Sequence, residues 1–124
     1  MKSAADNAAS RITVELIKGM LNATRREMEA LIARTAMSPF IREKKDFFTA
    51  ILNPAGELVV STSLTLAGNL VDAILQQYPA DTMQDGDLFW YNDPYATGGA
   101  VSHLPDMVFV MPVFAENRLL AFIE

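Results

Sequence analysis

The sequence predicts an α+β fold: an N-terminal helix, a β-hairpin, a short helix and further strands, together forming part of a larger domain. Three observations support this prediction. Apolar residues recur at helical spacing through about residue 35, strand-like runs begin after residue 45, and the chain stops one residue past an apolar strand. Because the chain has 124 residues and no repeat or low-complexity linker, residues 1–124 are treated as one unit.

The composition excludes several classes of protein. The chain is 51% hydrophobic, which is too apolar for a disordered segment. It has no cysteine, so a disulfide scaffold, a thiol nucleophile and a sulfur-based zinc site are excluded. No apolar run reaches the roughly 18–20 residues that cross a bilayer, and residues 1–11 lack the hydrophobic stretch of a signal peptide. We therefore expect a cytoplasmic protein with no membrane span.

The net charge of −5 is distributed unevenly along the chain. Residues 1–46 contain nine of the ten Lys and Arg residues and six acidic residues, whereas residues 47–124 contain Arg118 and nine acidic residues. Because nucleic-acid phosphates bind to basic surfaces, the acidic second part argues against nucleic acid as a partner. The basic cluster at Arg42, Lys44 and Lys45 is either a solvated charged turn or a contact for an anion.

The first helix is expected to be capped by Thr13, with Glu15 in its first turn, where an acidic residue complements the helix dipole. It extends to about Thr35, and Ser38-Pro39 ends it because proline cannot continue a helix. The apolar positions at helical spacing are Ile17, Leu21, Met28, Leu31 and Ile32. The methionines expected to fill the core are Met20, Met28 and Met37.

Residues 46–52 and 57–61 are expected to form the two strands of a β-hairpin. Pro54 and Gly56 occupy the second and fourth positions of the turn between them, which is typical of a type I turn. A short helix is expected at residues 69–78, where Pro79 stops it. The further strands are expected at residues 88–91, 107–114 and 119–123. Within the second of these, Pro112 marks a sheet edge or a bulge.

The densest group of reactive side chains lies in residues 92–106, between two apolar strands. It holds His103, which is the only histidine, together with Asp93, Asp106 and the pair Gly98-Gly99. Polar residues on a loop that a rigid sheet supports commonly form a binding or catalytic site. This segment is therefore the candidate site.

His103 and Asp106 would point to opposite faces of a regular strand, while Pro105 prevents a regular helix. A bend at Leu104-Pro105 would bring both side chains to one side. Imidazole and carboxylate together suit zinc, manganese or ferrous iron, but a catalytic metal normally takes about three protein ligands. Since the chain has no second histidine, further ligands must be carboxylates or come from elsewhere. The alternative is a His–Asp hydrogen bond that only fixes the loop.

Other chemistries fit the residues less well. A triad of Ser102, His103 and Asp106 is disfavoured because neighbours in sequence seldom meet in the required geometry. Gly98-Gly99 lacks the lysine of a phosphate-binding loop. The two aspartates that flank Gly86 are typical of a turn rather than of an acid–base pair.

An ordered series of segments connects the chain with a known family. The most specific are Asn92-Asp93-Pro94-Tyr95, Gly98-Gly99 and His103-Leu104-Pro105-Asp106, and residues 12–15, 34–47 and 56–59 agree with them. Together they resemble the hydantoinase B/oxoprolinase family over essentially the whole chain. That family includes the B-type chains of ATP-dependent N-methylhydantoinases, a section of 5-oxoprolinase, and related subunits of acetone and acetophenone carboxylases.

The resemblance implies an ATP-dependent hydrolase that opens a small cyclic amide such as a hydantoin or 5-oxoproline. It implies a hetero-oligomer with a hydantoinase A-type subunit, which binds the ATP and phosphorylates the substrate, so that this chain binds no ATP. It also implies a divalent metal (Mn, Zn or Fe), with His103 and Asp106 as two ligands beside a later histidine. The candidate catalytic residues are Asp93, His103 and Asp106. Asp93 and Tyr95 either contact the substrate or only shape the loop.

Two departures from the family pattern leave alternatives open. Ala100-Val101-Ser102 separates Gly99 from His103, a longer spacing than in the commonest family form. Family members are several times longer, and their later histidine lies beyond Glu124, so we expect an N-terminal fragment or a truncated gene product. One alternative is a subunit fragment of an ATP-dependent carboxylase that acts on a ketone. The other is a non-catalytic remnant that only docks to a partner subunit.

Overall fold

The computed structural model of the protein describes residues 10–62 and 69–124; residues 1–9 of the N-terminal stretch considered above lie outside these ranges. The described helices are α1 (Arg11–Thr35), α2 (Pro39–Arg42) and α3 (Asp72–Gln77), with a 3₁₀ helix at Ala80–Thr82. The described strands are β1 (Ala50–Leu52), β2 (Leu58–Ser61), β3 (Phe89–Tyr91), β4 (Val108–Ala115) and β5 (Arg118–Ile123). The predicted α+β class is confirmed.

Ser10 caps α1, so the prediction that Thr13 is the cap is wrong. The Ser10 hydroxyl accepts a hydrogen bond from the Thr13 amide at 3.2 Å, and the helix therefore begins two residues before Thr13. Glu15 consequently lies outside the first turn. Ser10 and Thr13 are both suitable capping residues. Ser10 is the one used because Arg11 and Ile12 also adopt helical structure. α1 ends at Thr35, and Pro39 opens α2.

The strands of the described residues form one antiparallel sheet in the order β2-β1-β5-β4-β3. The predicted hairpin is β1–β2, although β1 begins at Ala50 and not at residue 46 as predicted. Its turn is closed by a 2.9 Å hydrogen bond from the Gly56 amide to the Asn53 carbonyl. β5 pairs with β1, with Ile123 opposite Ile51. This pairing joins the hairpin to the later strands, which the sequence placed correctly but did not assign to the same sheet.

β4 is an interior strand, lying between β3 and β5. The pairing of β4 with β3 covers only residues 108–110, so at Pro112 the strand pairs with β5 alone among the described strands. The expectation that Pro112 marks a sheet edge is therefore correct at this position. The alternative expectation, a bulge, agrees with a shift of register between Val113 and Phe114. A proline has no amide to donate to the ladder, and a position without a strand on one side accommodates this.

The main core lies on one side of the sheet, called the core face. Its strand residues include Leu52, Val110 and Phe122, all of them buried, and Val71 and Ile74 at the start of α3 pack against them. The other members of this cluster are Ala50, Leu70, Met83, Val101 and Val108. α3 is shorter than the predicted residues 69–78, and Ile74 is the residue that it buries in the core.

α1 covers part of the opposite side of the sheet, called the outer face. Glu29 on α1 accepts hydrogen bonds through Oε1 from Arg25 and from the hydroxyls of Thr49 and Thr62. Thr49 lies on the same face as Ile51, because alternate residues of an extended segment point to one side. Ile51 is buried there although it lies outside the main core cluster. α1 therefore packs over the β1–β2 part of the outer face.

The expected core role is wrong for much of α1 and its surroundings. Four of the apolar residues in question are exposed, namely Ile17, Met20, Leu31 and Met37, and Met28 is only half-buried. The 25 residues of α1 span roughly 37 Å at 1.5 Å per residue, whereas the strands beneath it have three and four residues. Much of the helix thus has no sheet below it. None of the described helices has both the length and the apolar character that crossing a bilayer requires.

Candidate functional site

The candidate site is the loop from residue 92 to residue 107, which leaves the end of β3 and returns to the start of β4. Thr97 anchors this loop to the core. Its hydroxyl donates to the Pro94 carbonyl at 3.0 Å and accepts from the Val101 amide at 3.1 Å. Thr97 and Val101 are both buried. The loop is therefore held in the middle by a buried polar residue that satisfies its own backbone.

Asn92 joins the two ends of the loop. Its side-chain amide donates to the Leu104 carbonyl at 2.8 Å, twelve residues further along the chain. This contact brings the segment that carries His103 back beside the end of β3. Sequence reasoning included Asn92 in a motif but gave it no role, and it missed Thr97 entirely. The hydroxyl and amide residues that flank the Asp-Pro and Gly-Gly turns were the available signal.

Asp93 lies in the first turn of the loop. Its Oδ1 accepts a hydrogen bond from the Tyr95 amide at 2.8 Å, a local contact of the kind that aspartate makes in turns. The Tyr95 side chain is exposed. Asp93 also lines a groove of about 290 Å³ between α3 and β3, beside Tyr78 and Trp90. This volume is at the lower end of the range for small-molecule pockets.

His103 and Asp106 are brought together by the turn at Leu104-Pro105. The His103 Nδ1 and Asp106 Oδ2 atoms are 2.9 Å apart, and the Asp106 amide donates to the His103 carbonyl at 3.2 Å. Both side chains are exposed to solvent. The bend expected from the sequence is present. The described contacts of Asp93 do not reach this pair, so the three candidate residues form two groups along one loop.

Ser102 also lies close to the imidazole. Its hydroxyl oxygen is 3.2 Å from His103 Nδ1 and 3.2 Å from Nε2. The two side chains are close, but the geometry that a triad requires is absent, as the sequence argument expected. The equal distances place the hydroxyl away from the line of the Nε2 lone pair, because an in-plane hydrogen bond would favour one nitrogen. Ser102 is thus not aligned as the nucleophile of a Ser-His-Asp triad.

The pair His103–Asp106 has the donor types of a metal site. Two ligand atoms at right angles, each about 2.1 Å from one ion, lie about 3 Å apart, so the 2.9 Å separation suits either a shared cation or a hydrogen bond. Residues 10–62 and 69–124 contain no group of three or more His, Asp or Glu side chains that could hold an ion. The described part of the chain therefore offers two donors of the approximately three that a catalytic metal needs.

Tyr91 fixes the strand end from which the loop begins. Its hydroxyl donates to the Leu70 carbonyl at 2.5 Å. Burial, together with the nearby charges of Glu124 and Asp72, raises the pKa of Tyr91 to about 12, so the phenol stays protonated and can donate. Burial likewise raises the pKa of Glu124 to about 7. The loop therefore departs from a strand end that is tied to the core face.

The fold and the loop define an α+β unit with an exposed His–Asp pair, and comparison with known proteins gives its family. The chain matches the model of the hydantoinase B/oxoprolinase family over residues 10–124, and it belongs to that family. The family resemblance found in the sequence is confirmed.

Three relatives show how much of this chain and of each relative the similarity covers. A protein described as the B-type chain of a D-/L-hydantoinase from Pseudomonas sp. (strain NS671) is 31% identical over 119 residues, which are 90% of this chain and 20% of the relative. 5-Oxoprolinase 1 of Arabidopsis thaliana is 29% identical over 124 residues, or 96% of this chain and 10% of the relative. The beta chain of the caprolactamase from Pseudomonas jessenii is 26% identical over 117 residues, or 91% and 20%.

The chain spans about a fifth of the length, or less, of the curated relatives it matches. No solved structure matches the chain. The comparisons therefore establish the family of residues 10–124, and they bear on a short part of each longer relative.

Proposed function

We propose that this chain contributes the His103–Asp106 loop to an ATP-dependent enzyme that hydrolyses small cyclic amides. Membership of the hydantoinase B/oxoprolinase family supports the class of enzyme. The names of three relatives refer to hydantoin, 5-oxoproline and caprolactam, each of which contains an amide within a ring. Because the chain matches only about a fifth or less of these relatives, the complete activity requires further protein.

The observation that carries the proposal is the contact between the His103 imidazole and the Asp106 carboxylate at 2.9 Å. A carboxylate beside one ring nitrogen orients the imidazole, which leaves the second nitrogen free to exchange a proton with a reacting group. Both side chains are exposed, so a substrate presented by another subunit can reach them. In this role His103 moves a proton and Asp106 positions the ring.

A divalent metal (Mn, Zn or Fe) is the second role proposed for this pair, and the ion would then replace the hydrogen bond between the two side chains. His103 and Asp106 would hold it as two ligands, and the remaining ligands would come from outside the described residues. When bound, such an ion polarises a carbonyl or lowers the pKa of a water molecule. The chain itself would then orient the ion through a loop that Thr97 and Asn92 hold at its middle and its ends.

The proposed partner is a hydantoinase A-type subunit that binds ATP and activates the amide, in a cytoplasmic hetero-oligomer. The Pseudomonas sp. and Pseudomonas jessenii relatives are both named as one subunit of an enzyme, which supports a complex of more than one chain. The sequence of this chain contains no phosphate-binding loop with its lysine. ATP binding is therefore assigned to the partner.

The test measures ATP-dependent hydrolysis of hydantoin, 5-oxoproline and caprolactam by the complex that contains this chain and an A-type subunit. The variants are His103→Ala and Asp106→Asn, with Asp85→Asn as the control because Asp85 is an exposed turn residue. We expect His103→Ala to lower kcat at least 100-fold and the control to retain activity. Unchanged kcat and KM for both site variants would reject the proposed site.

Two further measurements separate the alternatives. Metal analysis of the complex should show less bound metal in Asp106→Asn than in the control if the carboxylate is a ligand. Turnover of acetone or acetophenone with ATP and bicarbonate, without turnover of any cyclic amide, would replace the hydrolase by a ketone carboxylase. Activity of the complex after loss of this chain would instead indicate a non-catalytic role.

A further inference from the structure

The outer face of the sheet becomes more exposed from β1 toward β3. Cross-strand pairing puts Ile51, Met111, Phe109 and Trp90 on this face, since Ile51 and Met111 both lie opposite Ile123 and Phe109 lies opposite Trp90. Their exposed fractions are 5% for Ile51, 37% for Met111, 51% for Phe109 and 64% for Trp90. α1 covers the first of these residues, and the described chain leaves the last three open. We call the surface formed by Met111, Phe109 and Trp90 the bare sheet.

The first half of α1 carries apolar residues that no described strand covers. Ile12, Leu16 and Met20 follow one another at intervals of four residues, so they form one stripe of the helix. They are 74%, 63% and 69% exposed, and Ile17 beside the stripe is half exposed. The described contacts of α1 with β1 and β2 involve its second half, around Glu29. We call the surface formed by Ile12, Leu16, Ile17 and Met20 the free helix stripe.

We propose that two copies of this chain form a two-fold symmetric dimer in which the free helix stripe of each copy lies on the bare sheet of the other. Each copy has an apolar helix segment without a sheet and an apolar sheet segment without a helix. A two-fold axis uses both surfaces of both copies at once, which leaves neither exposed. A helix packed on a sheet is also the arrangement that α1 already makes with β1 and β2.

Charge favours this pairing over one between the two helices. The free helix stripe is flanked by Arg11, Glu15 and Lys18, so its surroundings carry a net charge of +1. In contrast, Asp87 precedes β3 and Asp106 precedes β4. Over longer stretches, residues 1–46 are basic and residues 47–124 strongly acidic. Placing the helix of one copy on the sheet of the other brings opposite charges together around an apolar centre. Pairing the two helices would instead juxtapose two segments of the same net charge.

The apolar area is sufficient for a stable dimer. The seven side chains of the two surfaces are half exposed or nearly so, and each offers roughly 100 Å². Each copy would therefore bury on the order of 700 Å² of apolar side chain, close to the approximately 800 Å² per partner of a standard interface once the polar rim is included.

The first test is the oligomeric state of the purified chain by sedimentation velocity across a range of concentrations. We expect a dimer that dissociates at least tenfold more readily in both Leu16→Glu and Phe109→Glu. The control is Phe40→Glu, because Phe40 is an equally exposed phenylalanine on α2, outside both surfaces. Circular dichroism checks that each variant is folded, which is expected since the substituted side chains are exposed.

The second test determines which surfaces meet in the dimer. Because the chain has no cysteine, only the introduced cysteines can form a disulfide. Leu16→Cys and Phe109→Cys chains are prepared separately, mixed and oxidised. We expect a disulfide-linked heterodimer that forms at least tenfold more efficiently than either homodimer. Efficient linkage of Leu16→Cys to itself would overturn the proposal in favour of helix pairing. A chain that remains monomeric at all concentrations would overturn it too, and would assign these surfaces to another polypeptide.

Discussion

The two faces of the sheet are made by the same strands, yet they differ sharply in how they are covered. On the core face Val110 and Phe122 are fully buried beneath α3 and the loop. On the outer face Phe109, the neighbour of Val110, is half exposed, and Trp90 more so. A strand with one solvated face normally alternates between apolar and polar residues, whereas a strand covered on both faces is apolar throughout. β4 has the second pattern but only one of its faces covered by the described residues.

This contrast shows that an apolar residue of this chain is not necessarily buried in the described fold. The 51% hydrophobic composition includes a set of residues that the described fold leaves at the surface. Part of this set lies on one half of one sheet face and on the first half of α1, and the rest, including Leu31, Leu58 and Leu104, lies elsewhere on the described surface. Three predictions test the contrast between the faces, beginning with the largest effect.

Replacing a core-face phenylalanine should be far more costly than replacing one on the outer face. Phe122→Ala removes a fully buried ring and leaves a cavity, so we expect the free energy of unfolding to fall by about 3–5 kcal/mol. Phe109→Ala removes a half-exposed ring and should cost about 1 kcal/mol or less at a protein concentration low enough to avoid association. Urea denaturation measures both. Equal losses would show that the two faces are equally well packed.

The carboxyl of Glu124 should make stability depend on pH. Burial raises its pKa in the folded protein to about 7 from 4.5, so the folded state binds a proton more tightly than the unfolded state between these values. Stability from this group is complete below pH 4.5 and is lost as the pH rises through about 7, with a total change of at most about 3 kcal/mol.

The measurement compares urea denaturation of the wild type and Glu124→Gln from pH 4.5 to pH 8. We expect the variant to lose this decline, because its amide does not titrate. Glu116→Gln is the control, since Glu116 is exposed in the turn between β4 and β5. If Glu124→Gln keeps the pH dependence of the wild type, the Glu124 carboxyl is not the group that causes it.

The hydrogen bonds of Glu29 should contribute less than Phe122 but more than an ordinary surface residue. Glu29→Ala removes the acceptor for Arg25 and for the Thr49 and Thr62 hydroxyls, and Arg25 Nε already has no partner among the described residues. We expect a loss of about 2 kcal/mol. Glu27→Ala, at an exposed position of the same helix, should change stability by less than about 0.5 kcal/mol. A similar loss in both would mean that these contacts do not hold α1 on the outer face.

Local sequence signals predicted much of this fold. The hairpin, the three later strands and α3 were located correctly, although β1 and α3 are shorter than predicted, because alternation, turn residues and proline stops act over a few residues. The family and the bend between His103 and Asp106 were also accessible from motifs and from Pro105.

Long-range packing accounts for what the sequence did not reveal. The interior position of β4 depends on its pairing with both β3 and β5, which no local pattern encodes. The exposure of Met20 and Leu31 was missed because helical periodicity shows which residues share a face, not whether anything covers that face. Thr97 was missed because its importance comes from burial beneath a turn.

The hydrogen bond from the Asn92 side chain to the Leu104 carbonyl closes the candidate loop, and the length of that loop can change at little cost in free energy. It closes a ring of about twelve residues, and the entropy of closing such a ring grows only with the logarithm of its length. Lengthening it by two residues costs about 0.1 kcal/mol of closure entropy. The additional spacing between Gly99 and His103 is therefore tolerated by the sheet that supports it. The same reactive pair can be carried on loops of different length at almost no entropic penalty.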